Sequence, residues 1–573
     1  LGQASVNTVT TPALNMHQIN AEDAVQAKNG NWPRIAVSHQ ANYNLQNSGS
    51  WQTLPNGDRL WRRRIVAPNA KGIILGYENF ALPNGAKLFL YNDDRTEILG
   101  AFTKDNNPQN GIFSTALVHG DAVTLEYIEP AKVAGMGHFT IKEIGHAYRM
   151  VPRDMAGNRN FGSSDPCQVN VNCSPEGDNW QDEKRGVGRI LLKDGPNWGW
   201  CSGSLVNNTA EDCHPYFLTA FHCGETSSAA DKAQWIFYFN YESAGCSNPG
   251  SEPGSNTATG CTLVAHSNDG GGSSGSDFQL VELNGGNPLP TAWNLYYNGW
   301  NSSNTASTSG VGIHHPSGDI KKISTYNSNL ISTTWGGPSG SHWRVQWIST
   351  ANGHGVTEGG SSGSPIFDQN NRIIGTLTGG SSFCTSPNNP DIYGKMWYHW
   401  DQNTNPTGGH LAQFLDPLNS GTTTLDGTYA PCTPSAPTCN ISASTTTVTA
   451  GGTVDFFDNS GGVPTSWSWD FGGGGTPATS TDQNPSGIVF STPGTYTVTM
   501  TATNAQGSCN TTIVINVIPS TGCDTLNYPP NGTVIFGYGN ATIGYVTGTN
   551  QFGDLQKVQR FDGYNPYTHV TGG

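Results

Sequence analysis

Three residue types that together activate a serine hydroxyl occur along this chain in the order His222, Asp277, Ser364. A serine hydroxyl is a weak nucleophile near neutral pH. It therefore needs a base, a group that orients the base, and hydrogen-bond donors for the oxyanion. Such triads occur in several orders along the sequence, and one of these orders is His, then Asp, then Ser. The three residues predict acyl transfer through a serine nucleophile.

The local context of each residue supports this prediction. His222 follows the apolar run 216–220, which predicts a buried strand, and functional side chains often lie where a strand passes into a loop. Asp277 separates a glycine-serine loop from the alternating segment "FQLVEL", and Ser364 lies in "EGGSSGSPIF". Alone, these would read as a structural histidine, a turn aspartate and a loop serine. Their agreement in order and context favours the triad.

A second nucleophile pattern overlaps the same loop. Residues 359–363 read G-G-S-S-G, which fits G-x-S-x-G with Ser361 as the nucleophile. That pattern belongs to a strand-to-helix elbow, with the acid and the histidine further along the chain. Here Pro365 and a strand pattern follow, and the suitable His and Asp lie upstream. Ser361 is therefore rejected as the nucleophile.

Composition predicts an all-β protein with several domains. The chain has 573 residues, 12% of them charged, and 73 are glycine, which suits short strands joined by turns. The net charge of -15 argues against a nucleic-acid partner. The one basic run, 62–64, reads as the face of a strand. No apolar stretch is long enough to span a membrane.

Cysteine positions predict both compartment and domain boundaries. The 12 cysteines form no CxxC motif, which predicts disulfides and an oxidising, extracellular location. We expect five segments, which are a β-rich domain at 1–159 without cysteine, a domain at 160–428, a linker at 429–436, a compact β domain at 437–518, and a C-terminal β-rich region at 519–573 that stops incomplete.

Several segments resemble known proteases. "LTAFHC", "SDFQLVEL" and "GSSGSPIF" resemble the signature segments of trypsin-like serine proteases. "CSGSLVNNTAEDCHPYFLTAFHC", "GVGIHHPSGDIKKIS", "VTEGGSSGSPIFDQNNRIIGTLTGG" and "DIYGK" resemble, more closely, the secreted bacterial lysyl endopeptidase family over 160–428. The resemblance implies a chymotrypsin-like double β-barrel with the active site between the barrels. It also implies cleavage of peptides after Lys or Arg, no cofactor and no catalytic metal.

The resemblance also implies roles for single residues. His222 would be the base, Asp277 its orienting partner, and Ser364 the residue that forms the acyl-enzyme. The backbone N–H groups of Ser362 and Ser364 would form the oxyanion hole. Asp391 would lie at the base of the S1 pocket and attract a cationic P1 side chain.

Further substrate contacts follow from the same comparison. Gly379 and Gly380 would line the substrate channel, and Glu358 is expected to line the S1 pocket. Relatives can carry a histidine where this chain has Thr378, with a tryptophan, here Trp335, stacked near it. The Thr378 hydroxyl is expected to bond Asp277 instead, which leaves arginine open beside lysine as the P1 residue.

Residues 1–159 are expected to be a propeptide, which the family also has, acting as a folding aid and intramolecular inhibitor. Trypsin-type zymogens have an aspartate before the nucleophile, and this chain has Gly363, so the usual activating ion pair cannot form there. Self-cleavage after Arg159 would agree with a mature start at or just before Gly162. Arg149 and Arg153 are the alternative sites.

The resemblance implies three disulfides, Cys167–Cys384, Cys173–Cys246 and Cys201–Cys223. Cys213 and Cys261 are then paired by elimination. Cys439 and Cys509 lie near opposite ends of the domain at 437–518 and are expected to bridge. The remaining pair is Cys432–Cys523, and spacing alone could not choose among these connectivities.

The C-terminal third resembles accessory modules. "SWSWDFGGGGTPATSTDQNPSGIVFSTPGTYTVTMTATN" resembles a PKD domain, an immunoglobulin-like β-sandwich that is expected to be a spacer rather than a substrate-binding module. Residues 519–573 resemble the region before the sorting tail of some secreted Bacteroidetes proteins. We expect a monomeric secreted endopeptidase. The alternative is a catalytically silent, protease-like scaffold used with the PKD module for binding or adhesion.

Overall fold

A computed structural model of the chain describes residues 6–28, 32–149, 164–404, 409–430, 436–460, 464, 466–504 and 507–519. The described residues separate into two compact units, with the boundary at residues 437 and 438. The first unit holds the N-terminal region and the region that carries the triad, and the second holds the small β domain. Within the described residues, no helix is long and apolar enough to cross a membrane.

The N-terminal region is built from two antiparallel β-sheets and one helix, α1 (Met16–Lys28). Its strands are β1 (Thr8–Thr10), β2 (Arg34–Asn44), β3 (Ser50–Thr53), β4 (Arg59–Val66), β5 (Gly72–Ala81), β6 (Lys87–Asn92), β7 (Ile98–Phe102), β8 (Phe113–Ser114), β9 (Val118–His119), β10 (Ala122–Glu129) and β11 (His138–Ala147). β1, which runs parallel to β4, is the exception to the antiparallel pairing.

The sheets of this region enclose an aromatic and aliphatic core that includes Trp61, Tyr77 and Phe139. The basic run lies in β4, as predicted, and Arg62 and Arg64 form ion pairs with Glu126 and Asp93. Helix α1 was not predicted. Its buried positions are Ile19 and Asp23, one turn apart, so only a narrow stripe contacts the core and the apolar repeat is weak.

The triad-carrying region contains nineteen strands and two short helices, α2 (Ala229–Lys232) and α3 (Ala412–Leu415). Its strands are β12 (Val169–Asn170), β13 (Val187–Asp194), β14 (Asn197–Leu205), β15 (Tyr216–Thr219), β16 (Ile236–Phe239), β17 (Asn256–Thr259), β18 (Cys261–His266), β19 (Gln279–Leu283), β20 (Tyr296–Tyr297), β21 (Trp300–Asn301), β22 (Gly310–His314), β23 (Lys322–Tyr326), β24 (Ile331–Thr333), β25 (His342–Val345), β26 (Pro365–Phe367), β27 (Ile373–Gly380), β28 (Asp391–Lys395), β29 (Thr424–Leu425) and β30 (Thr428–Tyr429).

These strands form two barrels. The first follows the order β16-β13-β14-β15-β19-β18, and β17, which continues directly into β18, pairs with β16 and closes the ring. The second follows the order β12-β23-β22-β26-β27-β28-β25-β24. One buried cluster contains Leu218 and Leu280 from the first barrel and Val311 and Ile373 from the second, so the barrels share a core. This is the double β-barrel that the resemblance implied.

The N-terminal region extends the sheet of the first barrel. β2 pairs antiparallel with β14 through Ala36 and Trp198, and Arg34 donates to the Asn197 side chain at 3.0 Å. Elsewhere along the same contact, Lys193 lies 3.3 Å from Glu143. Backbone pairing to β14, which carries Cys201, and an ion pair to β13 therefore join the predicted propeptide to the first barrel.

The second unit is a β-sandwich, as predicted for the PKD segment. Its strands are β31 (Ile441–Ala443), β32 (Thr447–Thr449), β33 (Gly452–Val454), β34 (Phe456–Asp458), β35 (Ser466–Asp470), β36 (Gly475–Thr476), β37 (Thr479–Ser480), β38 (Ile488–Phe490), β39 (Gly494–Asn504) and β40 (Gly507–Ile518). The sheet β32-β40-β39-β35-β37 and the sheet β33-β38-β36 enclose Trp469, Phe471 and Met500. Most of the final segment, residues 520–573, lies outside the described residues.

Disulfides agree with four of the predicted pairs. Bridges join Cys167 to Cys384, Cys173 to Cys246, Cys201 to Cys223, and Cys439 to Cys509. The predicted Cys213–Cys261 pair is wrong. Cys261 is a buried free thiol, whereas Cys213 is disulfide-bonded. Elimination failed because both cysteines belong to one buried cluster and distance along the chain does not report on side-chain direction. The predicted Cys432–Cys523 pair lies outside the described residues.

Candidate active site

His222 is positioned by the end of β15. That strand stops at Thr219, and residues 221–223 form a single 3-10 turn that brings the histidine to the surface of the barrel. Cys201 on β14 is bonded to Cys223, which fixes this turn from the neighbouring strand. The His222 side chain is 14% exposed, so one edge of the imidazole remains accessible.

Asp277 lies immediately before β19 and contacts His222 twice. Its Oδ2 lies 2.7 Å from His222 Nδ1, and its Oδ1 accepts the His222 backbone N–H at 2.9 Å. The aspartate is fully buried. This two-point contact fixes the ring orientation and directs the other ring nitrogen away from the carboxylate, as a base–orienter pair requires.

The charges of this pair stabilise each other. Burial disfavours the imidazolium, but the charge and hydrogen bond of Asp277, together with the nearby carboxylates of Asp269 and Glu225, outweigh burial and raise the pKa of His222 above its usual value. Burial likewise opposes ionisation of Asp277, but the charge and N–H donors of His222 hold its pKa below the usual value. The pair is therefore suited to hold a proton on His222 while Asp277 stays ionised.

Ser364 lies in a loop packed against the strand that leads to His222. Gly363 adopts a φ of +79°, and a Cβ there would lie 2.6 Å from the Ala220 nitrogen and would overlap the Thr219 hydroxyl. Only glycine fits this approach. The Ser202 N–H donates to the Ser362 carbonyl at 2.8 Å. The loop thus binds across both strands that carry the Cys201–Cys223 bridge.

The structure does not place Ser364 in contact with the base. Its hydroxyl is buried and has no hydrogen-bond partner, so nucleophile and His222 are not hydrogen-bonded in this form of the chain. Catalytic hydrogen bonds are often long before substrate binds. The rejected alternative, Ser361, is engaged elsewhere, because its hydroxyl lies 2.8 Å from His314 Nδ1 and accepts the Glu358 N–H at 3.2 Å.

The predicted oxyanion hole is not formed. The Ser364 N–H, one of its two expected donors, donates to the Ser361 carbonyl at 3.0 Å and closes a tight turn over residues 361–364. A substrate oxyanion could receive this hydrogen only if the Ser361 carbonyl turned away. The sequence could predict which amides are near the nucleophile but not which way each peptide plane faces.

Asp391 is a buried acidic residue whose carboxylate is held by three side-chain hydrogen bonds. It is fully buried on β28, and its carboxylate accepts hydrogen bonds from Ser382 Oγ at 2.6 Å, Trp347 Nε1 at 2.6 Å and Thr357 Oγ1 at 2.8 Å. Burial raises its pKa, and these donors oppose the shift. Gly380 pairs with Asp391 across β27 and β28, and any side chain at Gly380 would overlap the carboxylate.

Trp347, Thr357 and Ser382 were missed by sequence reasoning. They come from three separate segments, and each is an ordinary residue type in its own segment. Only the pairing of β28 with β25 and β27 brings them to one carboxylate. No local signal in the sequence could have found them.

One predicted contact differs from the structure. The Thr378 hydroxyl is buried and unpaired, so the predicted hydrogen bond to Asp277 is wrong. Trp335 lies against Gly379, the residue after Thr378, where a Cβ would meet its ring at 3.0 Å. Trp335 is 40% exposed, so the ring is available to a substrate at this edge of β27.

Glu358 supports the beginning of the protease region. Its carboxylate accepts the Asp165 N–H at 2.9 Å, Gln168 Nε2 at 2.8 Å and Ser317 Oγ at 2.8 Å. These contacts hold the Glu358 carboxylate toward the start of the protease region, and its place in the S1 pocket stays a prediction. The predicted cleavage site at Arg159, and the alternative at Arg153, lie outside the described residues, whereas Arg149 pairs with Asp23.

Comparisons with known proteins agree with the geometry. Residues 161–394 match the family model "Lysyl endopeptidase, C-terminal domain", and residues 438–517 match the PKD domain. A lysyl endopeptidase of Pseudomonas aeruginosa is 28% identical over 354 residues, which covers 59% of this chain and 72% of that protein.

Solved structures are more distant. The thermostable serine protease AL20 from an extremophilic microorganism is 17% identical, with 39% of this chain and 100% of that chain covered and a TM-score of 0.27. The VesB protease of Vibrio cholerae is 14% identical, with 58% and 95% covered and a TM-score of 0.27. The fold assignment rests on the strand order given above. The chain is therefore a serine peptidase homologue, in which residues 161–394 match the lysyl endopeptidase C-terminal domain family and residues 438–517 the PKD domain family.

Proposed function

We propose that the chain is a secreted serine endopeptidase, made as a zymogen, that cleaves peptide bonds after Lys or Arg. The observation that carries the proposal is the two-point contact of Asp277 with His222 beside the Ser364 loop. The disulfides support secretion, since they persist in oxidising compartments.

The mechanism follows from the roles that the geometry supports. His222 removes the proton from Ser364 Oγ as that oxygen attacks the scissile carbonyl. Asp277 stabilises the imidazolium that forms, and His222 then delivers its proton to the leaving amine. Water repeats the sequence on the acyl-enzyme and releases the second product with the serine restored.

Substrate choice is assigned to Asp391. The Asp391 carboxylate is buried and held by neutral donors, and it forms no ion pair within the part of the chain that the structure describes. Such a carboxylate favours a cationic side chain that enters the pocket. Both lysine and arginine carry such a charge. The name of the Pseudomonas relative favours lysine, and Thr378, at a position where relatives can carry a histidine, leaves arginine open.

The experiment that tests the function is mass spectrometry of a denatured protein after incubation with the processed chain. We expect cuts after Lys and Arg, and none after treatment with diisopropyl fluorophosphate, whose phosphoryl group should map to Ser364. Absence of cuts from a fully processed chain would favour the binding-scaffold alternative. Cuts after other residues would keep the triad and discard Asp391 as the selector.

The closed turn at residues 361–364 leads to a prediction about the precursor. The N-terminal region contacts this side of the site, since Pro33 lies against Gly359 and Trp32 against Gly199. Loss of one oxyanion donor lowers the rate of acyl transfer by about 10²- to 10³-fold. We expect the intact chain, verified by mass spectrometry, to react with diisopropyl fluorophosphate slower than the processed chain by at least that factor. Equal rates would contradict inhibition by the N-terminal region.

The pH dependence follows from His222. The base acts only when neutral, so kcat/KM falls as the pH drops through the pKa of His222. Because that pKa is raised, we expect the acid limb to lie above the ordinary histidine value of about 6.5. The midpoint of the acid limb would be measured by steady-state kinetics between about pH 4 and 9. A substrate with an uncharged P1 residue would be used, so that titration of Asp391 does not affect its binding. A midpoint below the ordinary value would argue against the Asp277 contact.

A further inference from the structure

The loop that carries Asp277 is closed at its base by one serine. Residues 267–278 connect β18 to β19, and Ser267 donates its N–H to the Phe278 carbonyl at 2.9 Å. Ser267 Oγ accepts the Phe278 N–H at 3.0 Å. The two ends of the loop are therefore fixed to each other, and the position of Asp277 depends on what fills the loop.

Asp269 fills it. This aspartate is 2% exposed, and its carboxylate accepts the backbone N–H of Asp277 at 2.6 Å and that of Gly272 at 3.1 Å. Its own carbonyl accepts the Ser273 hydroxyl at 2.8 Å. One buried side chain thus connects the start of the loop to the residue that contacts His222.

The backbone of Asp277 needs such a contact. Its φ is +59°, in the left-handed region that is uncommon for residues other than glycine. Residues held in this region are strained and persist when their surroundings fix them. From this conformation the Asp277 carboxylate reaches both the N–H and the Nδ1 of His222.

We propose that Asp269 is a positioning residue for the triad: it holds the backbone N–H of Asp277 and so fixes the left-handed conformation that directs the Asp277 carboxylate to His222. The proposal rests on the proposed triad chemistry and deepens it. Asp269 does not contact substrate in this account, and it acts through Asp277. Neither the sequence patterns nor the family resemblance pointed to this residue.

The position of Asp269 also gives it an electrostatic effect on the base. The charged and titratable groups that act on His222 are Asp277, Asp269 and Glu225. The charge of Asp269 interacts with the titratable groups of Asp277 and Tyr398. The charge of His342 interacts with Asp277. The negative charge of Asp269 stabilises the imidazolium, so its removal should lower the pKa of His222. A purely structural residue would not move this value.

Asp416 provides a matched control. It is also buried, at 7% exposure, and its carboxylate likewise caps a loop by accepting the backbone N–H groups of Ser420 and Gly421, both at 2.9 Å. Its carboxylate also accepts the hydroxyls of Thr209 and Ser420. Asp269 and Asp416 therefore share burial and chemistry, and differ in that only Asp269 holds Asp277.

The test compares Asp269→Ala and Asp269→Asn with Asp416→Ala and Asp416→Asn. Each variant is expressed as the full-length chain and assayed after processing. For Asp269→Ala we expect kcat per active site to fall by about 10- to 100-fold at little change in KM, since small misplacements of catalytic groups cost about this much. Asp269→Asn keeps one acceptor oxygen and should lose less kcat. Both Asp269 variants should move the acid limb of kcat/KM to lower pH.

The Asp416 variants should lower the melting temperature and leave kcat and the acid limb unchanged. Wild-type kcat and acid limb in both Asp269 variants would overturn the proposal. So would a loss of activity that only follows the loss of folded protein.

A second measurement does not need activity. NMR titration of His222 in the Ser364→Ala chain, with and without Asp269→Asn, should show a lower pKa in the double variant, and an unchanged pKa would overturn the electrostatic part. If the wild type cuts no peptide, the proposed function fails, and this titration still decides whether Asp269 acts on His222.

Discussion

Replacing Ser364 with alanine should lower kcat for peptide hydrolysis by about 10⁶-fold, because His222 then has no hydroxyl to deprotonate and no acyl-enzyme can form. The side chain is buried and its hydroxyl has no hydrogen-bond partner, so its removal leaves no donor or acceptor newly unpaired. Folding should be unaffected. The measurement is kcat with a Lys or Arg peptide substrate, together with the melting temperature.

Ser361→Ala is the matched control in the same loop. Its hydroxyl bonds His314 and the Glu358 N–H, so its removal should lower the free energy of unfolding by about 1–3 kcal/mol through an unpaired buried group. Most of the activity should remain. The opposite result, with Ser361→Ala inactive and Ser364→Ala active, would restore the G-x-S-x-G alternative that the sequence argument rejected.

Replacing Asp391 with serine should abolish the preference for a cationic P1 residue. A cation that enters a buried pocket without its carboxylate is left unpaired, which costs about 3–5 kcal/mol, or about 10²- to 10⁴-fold in kcat/KM. Substrates with a neutral P1 residue should lose much less. Relative kcat/KM values for matched peptides with Lys, Arg or Leu at P1 would measure the effect.

Two controls accompany this prediction. Asp368→Asn removes another buried carboxylate, one that binds the turn after β26 through Asn370 and Arg372, and should leave the P1 preference unchanged. The second control is the pH dependence of KM. Burial raises the pKa of Asp391, so KM for a Lys substrate should rise as the pH falls, and Asp391→Ser should remove this dependence. An unchanged P1 preference in Asp391→Ser would refute the pocket assignment.

The closed turn at residues 361–364 and the N-terminal region are both relevant to how the activity of the precursor would be regulated. A zymogen can be silent because its cleft is covered or because its catalytic groups are not assembled. Here Pro33 and Trp32 contact the rim near Gly359 and Gly199, while the Ser364 N–H is already used by Ser361. In the zymogen proposed above, the contact of Pro33 with Gly359 and the closed turn would act on the same loop, so release of the N-terminal region and opening of the turn are expected to be coupled.

The sequence by itself determined the elements that local patterns encode. The apolar run before His222, the alternating segment after Asp277 and the hairpin after Ser364 each predicted the strand that the structure contains, β15, β19, and β26 with β27. Strand periodicity is set by neighbouring residues, so it can be read from a short window. The β-sandwich after residue 437 and three of the four disulfides followed instead from the family resemblance, and Cys439–Cys509 followed from the positions of its cysteines near the ends of that domain.

Tertiary structure alone decided the features that depend on direction and long-range contact. The peptide plane of Ser361, the unpaired hydroxyl of Thr378 and the free thiol of Cys261 all depend on which way a group faces, and residue type does not record this. The donors around Asp391 and the contact of Asp269 with Asp277 join segments or loop ends that only the folded chain brings together. Hydrogen bonds of a few ångströms between distant residues leave no periodic trace in the sequence. The contact of His222 with Asp277 was therefore predicted from motif order and resemblance, whereas the contacts that support it were not.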